Sequence, residues 1–253
     1  MFRPTLRKMT QFNIEVVSDT VCPWCYVGKQ KLELAIKSYQ ELHPDSGDTF
    51  STTWMPFYLN PGSPKVGKSS SPSCPSLKLP RTGLIDVFQG VDKTAYYKQK
   101  FGEERTDMIF ERLAQTGREV GINFKFGGKT GNTRDSHRLI QLGKTKSPAM
   151  QTRVVEELFA AYFENEKDIT SHETLLDAGL RAGLEEKEIK EWLDSDKGGK
   201  EVDIEVAEAQ SNQISGVPNF TVQGKYEVGG AQDPGVFVRL FTKIKASETA
   251  AKA

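Results

Sequence analysis

Cys22-Pro23-Trp24-Cys25 places two nucleophilic side chains one helical turn apart. Disulfide exchange runs through a thiolate, and a thiolate needs a local environment that favours negative charge. The residues ahead of the pair, Phe12-Asn13-Ile14-Glu15-Val16-Val17-Ser18-Asp19, carry apolar side chains at period two, as a strand does. The residues after it change to a helical period, with Gly28, Leu32, Ala35, Ile36 and Tyr39 on one stripe. Cys22 is therefore expected at a helix N-terminus, where unpaired N–H groups and the helix dipole attract an anion. Pro23 suits the first helical position, because its missing N–H is not needed there. The expected roles follow from depth: Cys22 is the exposed attacking thiol and Cys25 the more buried resolving thiol.

Other uses of a C-x-x-C pair make different demands. A zinc site needs two further ligands, yet there is no second C-x-x-C, and His43, His137 and His172 are scattered. No metal is expected. A buried structural pair of free cysteines is the plain alternative. The third cysteine, Cys74, lies between Ser73 and Pro75. It reads as a spectator, with exchange onto Cys22 or glutathione as its other use. Three cysteines do not make a disulfide framework. A second chemical signal is Val217-Pro218, ahead of Asn219-Phe220-Thr221-Val222. Proline has no ladder N–H, so it belongs at the first position of a strand or on an edge.

The elements that would hold these residues form two groups. A strand, a helix to Leu42 and a second strand at 49–58 read as a right-handed βαβ unit. Near the other end come a helix reaching about Gln213, the short strand 219–222, a turn at Gly224-Lys225, a strand at Tyr226-Glu227-Val228 and a last helix from Asp233-Pro234. Between them the pattern is helical, with four to six helices and no strand. Val154, Val155, Leu158, Phe159, Tyr162 and Phe163 make its clearest stripe. Thr170-Ser171-His172-Glu173 has the form of a capping box. The expected fold is α/β and thioredoxin-like, with a helical subdomain inserted between the N-terminal βαβ unit and the C-terminal αββα part. Residues 12–60 and 198–245 would make the thioredoxin-like domain, 61–83 a Pro/Ser-rich loop and 84–197 the insertion. Residues 1–11 and 246–253 would be flexible termini.

The 253 residues are 37% hydrophobic and 27% charged, with 34 basic against 34 acidic side chains. That balance gives no electrostatic reason to expect nucleic acid or a membrane surface as partner. No apolar run approaches the roughly 18–20 residues of a membrane span. The first ten residues hold Arg3, Arg7 and Lys8 but no apolar core of a secretory signal. A cytoplasmic location is expected, with a mitochondrial one as alternative, because transit segments are Arg-rich and acid-poor.

Asp19-Thr20-Val21-Cys22-Pro23-Trp24-Cys25-Tyr26-Val27-Gly28-Lys29 near one end and residues 214–232, ISGVPNFTVQGKYEVGGAQ, near the other resemble the DsbA-type thioredoxin family, in particular its FrnE-like branch. The stretches at 56–61, 90–102 and 132–143 are similar as well, and the resemblance spans most of 12–242. Residues 65–89 depart from it as an insertion. The resemblance implies that Cys22 and Cys25 are the catalytic pair, and that Pro218 is a cis-proline facing them. It also implies that backbone groups of Val217 pair with an extended substrate. Pro23, Trp24, Val217, Pro218 and His137 are the candidate substrate-binding residues. His137 either faces the cleft and moves protons or is a hydrogen-bonded helix residue.

Three activities compete. Dithiol–disulfide exchange on protein or glutathione-linked substrates needs no bound cofactor, only glutathione or a thioredoxin-type reductant, in a monomer or homodimer. A glutathione-dependent isomerase or transferase, of the kappa-class or hydroxychromene carboxylate isomerase type, would act on a small aromatic molecule. A binding or chaperone module would make the cysteines incidental.

Overall fold

The computed structural model describes residues 9–62 and 90–250. Cys74, the insertion at 65–89 and nearly all of the Pro/Ser-rich stretch at 61–83 lie outside the described residues.

Strand β1 (Gln11–Ser18) buries Phe12, Ile14 and Val16, each at most 2% exposed, and turns Asn13 and Glu15 outward. Helix α1 (Pro23–Leu42) crosses to β2 (Thr49–Pro56), which pairs with β1 in parallel from Gln11↔Thr49 to Ser18↔Pro56. On its other edge β1 meets β5 (Asn219–Val222) antiparallel, and β5 carries β6 (Tyr226–Gly229). The sheet order is β2-β1-β5-β6, which explains why β1 is the most apolar strand. Aromatic side chains join the sheet to α1 and to the last helix, α9 (Pro234–Ala250). Phe12 meets Tyr39 at 5.4 Å and Phe241 at 5.1 Å between ring centroids.

Gln11 already belongs to β1, and α9 runs to Ala250 instead of ending near residue 245. Polar ties explain the extension. Lys245 Nζ reaches the buried Asp48 carboxylate at 2.5 Å. Glu248 accepts from Thr10 Oγ1 at 3.1 Å and Gln223 Nε2 at 2.9 Å. The β5–β6 turn sits one residue earlier than Gly224-Lys225. Gln223 and Gly224 take its two positive φ angles, 54° and 61°. The unfavourable Gln223 backbone is held by its N–H on Asn13 O at 2.8 Å and its side chain on Gln11 O at 3.0 Å.

Between the two parts lie α2 (Lys93–Phe101), α3 (Glu103–Glu119), α4 (Arg134–Lys146), α5 (Pro148–Phe159), α6 (His172–Ala182) and α7 (Glu186–Asp194), followed by α8 (Gly199–Ser211). The block is not free of strands: β3 (Val91–Asp92) pairs antiparallel with β4 (Lys129–Thr130). Two residues a side are too few to show a period in sequence. The Thr170–Glu173 capping box does not form. Ser171 is the N-cap but makes no side-chain bond, and Thr170 turns its N–H and hydroxyl to Asp168 Oδ1 at 2.9 and 2.7 Å. Helix α5 widens into a π turn at Ala160–Glu164, closed by Asn165 N–H on Ala160 O at 3.0 Å.

Two buried polar ties fasten the block to the sheet. The Gln151 amide of α5 behaves as an extra strand segment on the edge strand β2. It accepts from Trp54 N–H at 3.0 Å and donates to Trp54 O at 2.8 Å. Lys29 of α1 bridges Glu33 at 2.8 Å and Glu156 of α5 at 2.6 Å. Among the described residues no helix is long and apolar enough to cross a membrane.

Candidate active site

Strand β1 ends at Ser18, and the chain turns through Asp19-Thr20-Val21 to place Cys22 as the N-cap of α1. The turn closes with Cys22 N–H on Asp19 O at 3.0 Å, and Pro23 takes the opening position of the helix. The cap makes no side-chain hydrogen bond and the first turn holds no acid. Its N–H groups and the helix dipole thus have no side-chain anion to serve.

Cys22 Sγ donates to Val217 O at 3.5 Å, and the Val217–Pro218 peptide is cis. The opposite ends of the chain meet here because β5 pairs with β1 and Pro218 enters β5. Pro218 O accepts from Gly230 N–H at 2.8 Å, which ties the loop to the end of β6. On the other side stands Gly28 of α1, where a Cβ would lie 2.9 Å from Pro218 Cγ.

Neither thiol is exposed. Cys25 is fully buried, and Cys22 is only 3% exposed, not the open thiol expected from its place in the helix. Burial is the main force pushing the Cys25 thiol well above its ordinary value, and the hydrogen bond and charge of Cys22 add to it. The Ser18 hydroxyl and Asp19 N–H beside it work in the opposite direction.

The remaining expected residues divide. Pro23 and Trp24 are half-buried, Val217 likewise, and Pro218 is buried against α1. His137 is seated one layer behind, 3% exposed. Its Nε2 meets Phe57 O at 3.1 Å and Asp19 Oδ1 at 3.5 Å, an internal link and not a cleft-facing imidazole. Asp19 itself is wholly buried, its Oδ2 accepting from Leu59 N–H at 2.8 Å. Among the described residues no cluster of three His, Cys, Asp or Glu side chains is arranged to hold a metal ion.

The helical block contributes groups that the sequence reading missed. Burial raises the Tyr97 phenol of α2, and the charge of Cys22 raises it further. Tyr162, in the π turn, is 1% exposed, and its hydroxyl has no hydrogen-bond partner among the described residues. Burial raises it too; Thr130 works against that, while Tyr97 and Asp19 add to it. Lys93 lies 4.1 Å over the Tyr162 ring and donates to Tyr162 O at 3.0 Å. Lys93 and Tyr97 carried a signal, since both fall within the family-like stretch 90–102.

Burial lowers the Lys93 amine to about 8, although Glu166 and Asp92 oppose it. Between pH 8 and its unfolded value near 10.5 the native state therefore holds fewer protons than the unfolded one, so stability rises with pH. We expect wild type to gain up to about 3 kcal/mol over Lys93→Met across that window. Urea unfolding at pH 7.5 and at pH 10 measures it, and a constant difference between the two proteins would remove the buried amine from this wall.

The family model of the DSBA-like thioredoxin domain matches residues 13–241. Among solved structures, a probable DsbA oxidoreductase from Streptomyces coelicolor superposes with a TM-score of 0.74 at 24% identity, covering 92% of this chain and 89% of that one. A 2-hydroxychromene-2-carboxylate isomerase superposes with a TM-score of 0.56 at 16% identity, covering 95% and 96% of the two chains. The Bacillus subtilis (strain 168) protein YwbO, whose own description is "uncharacterized", is 42% identical over 62 residues. That match spans 24% of this chain and 26% of YwbO.

Proposed function

Because the chain belongs to the DSBA-like thioredoxin domain family, we propose that it is a thiol–disulfide oxidoreductase that cycles Cys22 and Cys25 between dithiol and disulfide. One observation carries this reading: Cys22 caps α1 with its sulfur 3.5 Å from the Val217 carbonyl, and Cys25 lies one turn behind. The Cys22 thiolate attacks one sulfur of a substrate disulfide, and the other sulfur leaves as a thiolate. Cys25 then loses its proton and attacks Cys22 Sγ, and the second substrate sulfur leaves. Substrate gains two electrons and two protons, and the enzyme keeps a Cys22–Cys25 disulfide. The backbone at Val217 supports pairing with an extended protein chain. No bound cofactor is needed; glutathione or a thioredoxin-type reductant resets the dithiol. Phenols held high by burial, such as Tyr97, suit donation to a leaving thiolate.

The FrnE-like branch, the division into a sheet domain and a helical insertion, a monomer or homodimer, and a cytoplasmic or mitochondrial setting belong to the same proposal. In such a reducing setting the pair rests as a dithiol and works as reductase or isomerase. The second reading is a glutathione-dependent isomerase acting on a small aromatic molecule. The fold shared with the hydroxychromene carboxylate isomerase and the closed-in thiols favour it.

Equilibration in glutathione buffers, with alkylation and mass analysis of the trapped thiols, tests the proposal. The expected result is a reversible intramolecular Cys22–Cys25 disulfide with one sharp midpoint. Absence of that disulfide at every poise would leave the isomerase reading in its place.

A further inference from the structure

Trp24, between the two cysteines, carries a cation above its ring. The Arg112 guanidinium, from α3, lies 5.6 Å from the Trp24 ring centroid. Arg112 is exposed, and it has no carboxylate partner among the described residues. Three other arginines of the block pair with carboxylates. Arg134 binds Asp196 and Asp203, Arg138 binds Asp135 and Arg181 binds Glu157. A guanidinium stacked on an aromatic face uses its flat side for that contact and keeps its N–H edge for an anion. Trp24 thus carries a guanidinium over its ring inside the Cys22–Cys25 motif.

We propose that Arg112 is a specificity residue that selects disulfides bearing a carboxylate near the exchanged sulfur, glutathione disulfides among them. This rests on the disulfide-exchange reading and names its substrate class. For oxidised glutathione the balance is closed: the enzyme dithiol is oxidised to the Cys22–Cys25 disulfide and two glutathione thiols are released. The pairing is solvated, so its effect on rate is modest and weakens with salt.

The test follows oxidation of the reduced chain by three disulfides of different charge: oxidised glutathione, an anion overall; bis(2-hydroxyethyl) disulfide, neutral; and cystamine, a cation. The quantity read is the ratio of rate constants, oxidised glutathione over cystamine. In Arg112→Met we expect this ratio to fall about fivefold, with a weaker salt dependence, and Arg112→Lys to restore most of it. An unchanged ratio overturns the proposal. So does an equal fall with all three disulfides, which would mean that Arg112 acts only by holding Trp24 in place. If no disulfide oxidises the wild-type dithiol, the exchange reading itself fails, and that outcome is distinct from the other two.

Discussion

Cys25→Ser will leave Cys22 able to take up a substrate sulfur but unable to hand it on. A covalent Cys22 adduct should accumulate, visible by mass, and steady-state turnover of protein or glutathione disulfides should fall by about a thousandfold or more. The size follows from proximity. A resolving thiol held one helical turn away acts at an effective concentration that no external thiol matches. The structure adds a pH signature. Burial, which persists when Cys22 is in a mixed disulfide, keeps the Cys25 thiol protonated above its ordinary value, so only a small fraction is thiolate near neutrality. In wild type, release of the mixed disulfide should therefore speed up by about tenfold per pH unit through the neutral range. Cys25→Ser should lose that dependence, and Cys22→Ser should form no adduct. The isomerase reading predicts otherwise, because a glutathione-assisted isomerisation does not require a resolving thiol. Turnover within a few-fold of wild type in Cys25→Ser would sink dithiol exchange.

The geometry around Cys22 was legible because it is local. Cys22, Pro23 and Cys25 lie within four consecutive positions, and strand-to-helix periodicity around them places Cys22 at a helix cap. Val217-Pro218 was legible as a strand entry, since a missing N–H marks such positions. The fold followed from the change of period between β1, α1 and β2, from strand to helix and back to strand. What stayed hidden depends on contacts far apart in sequence. Nothing around Arg112 announces that it ends above Trp24, nor around Tyr162 that its hydroxyl is buried with no hydrogen-bond partner among the described residues. The π turn that carries Tyr162 leaves the apolar spacing of 154–163 looking like an ordinary helix. The depth of Cys22 was misread for a related reason: a helix cap reads as open until the element that packs over it is known. The length of α9 depended on Asp48, Thr10 and Gln223, none of which is near it in sequence.

Gly28→Val should separate fold from chemistry at the same site. Gly28 reads in sequence as one more position of the α1 stripe, but in space it is where the helix touches the Pro218 loop. A Cβ there meets Pro218 Cγ at 2.9 Å and Phe220 Cζ at 3.1 Å. Neither neighbour can give way easily. Pro218 is anchored through its carbonyl to Gly230, and Phe220 is wholly buried, opposite Val16 and 5.0 Å from the Phe237 ring. Replacing glycine in a helix gains about 0.5 kcal/mol of propensity. Overpacking a closed core costs about 1–3 kcal/mol, so the net should be a loss of about 0.5–2.5 kcal/mol in urea unfolding. The larger effect should be on rate. Relief of the clash moves the Val217–Pro218 segment away from Cys22 Sγ, and a misplacement of about 1 Å at reacting atoms lowers rates on the order of a hundredfold. Exchange is therefore to be measured far below the urea midpoint, where the variant is fully folded. A stable Gly28→Val protein with wild-type exchange would show that contact between α1 and Pro218 does not set the geometry at Cys22. A folded protein with slow exchange and an intact Cys22–Cys25 disulfide would locate the defect in substrate alignment, because the dithiol itself would still close.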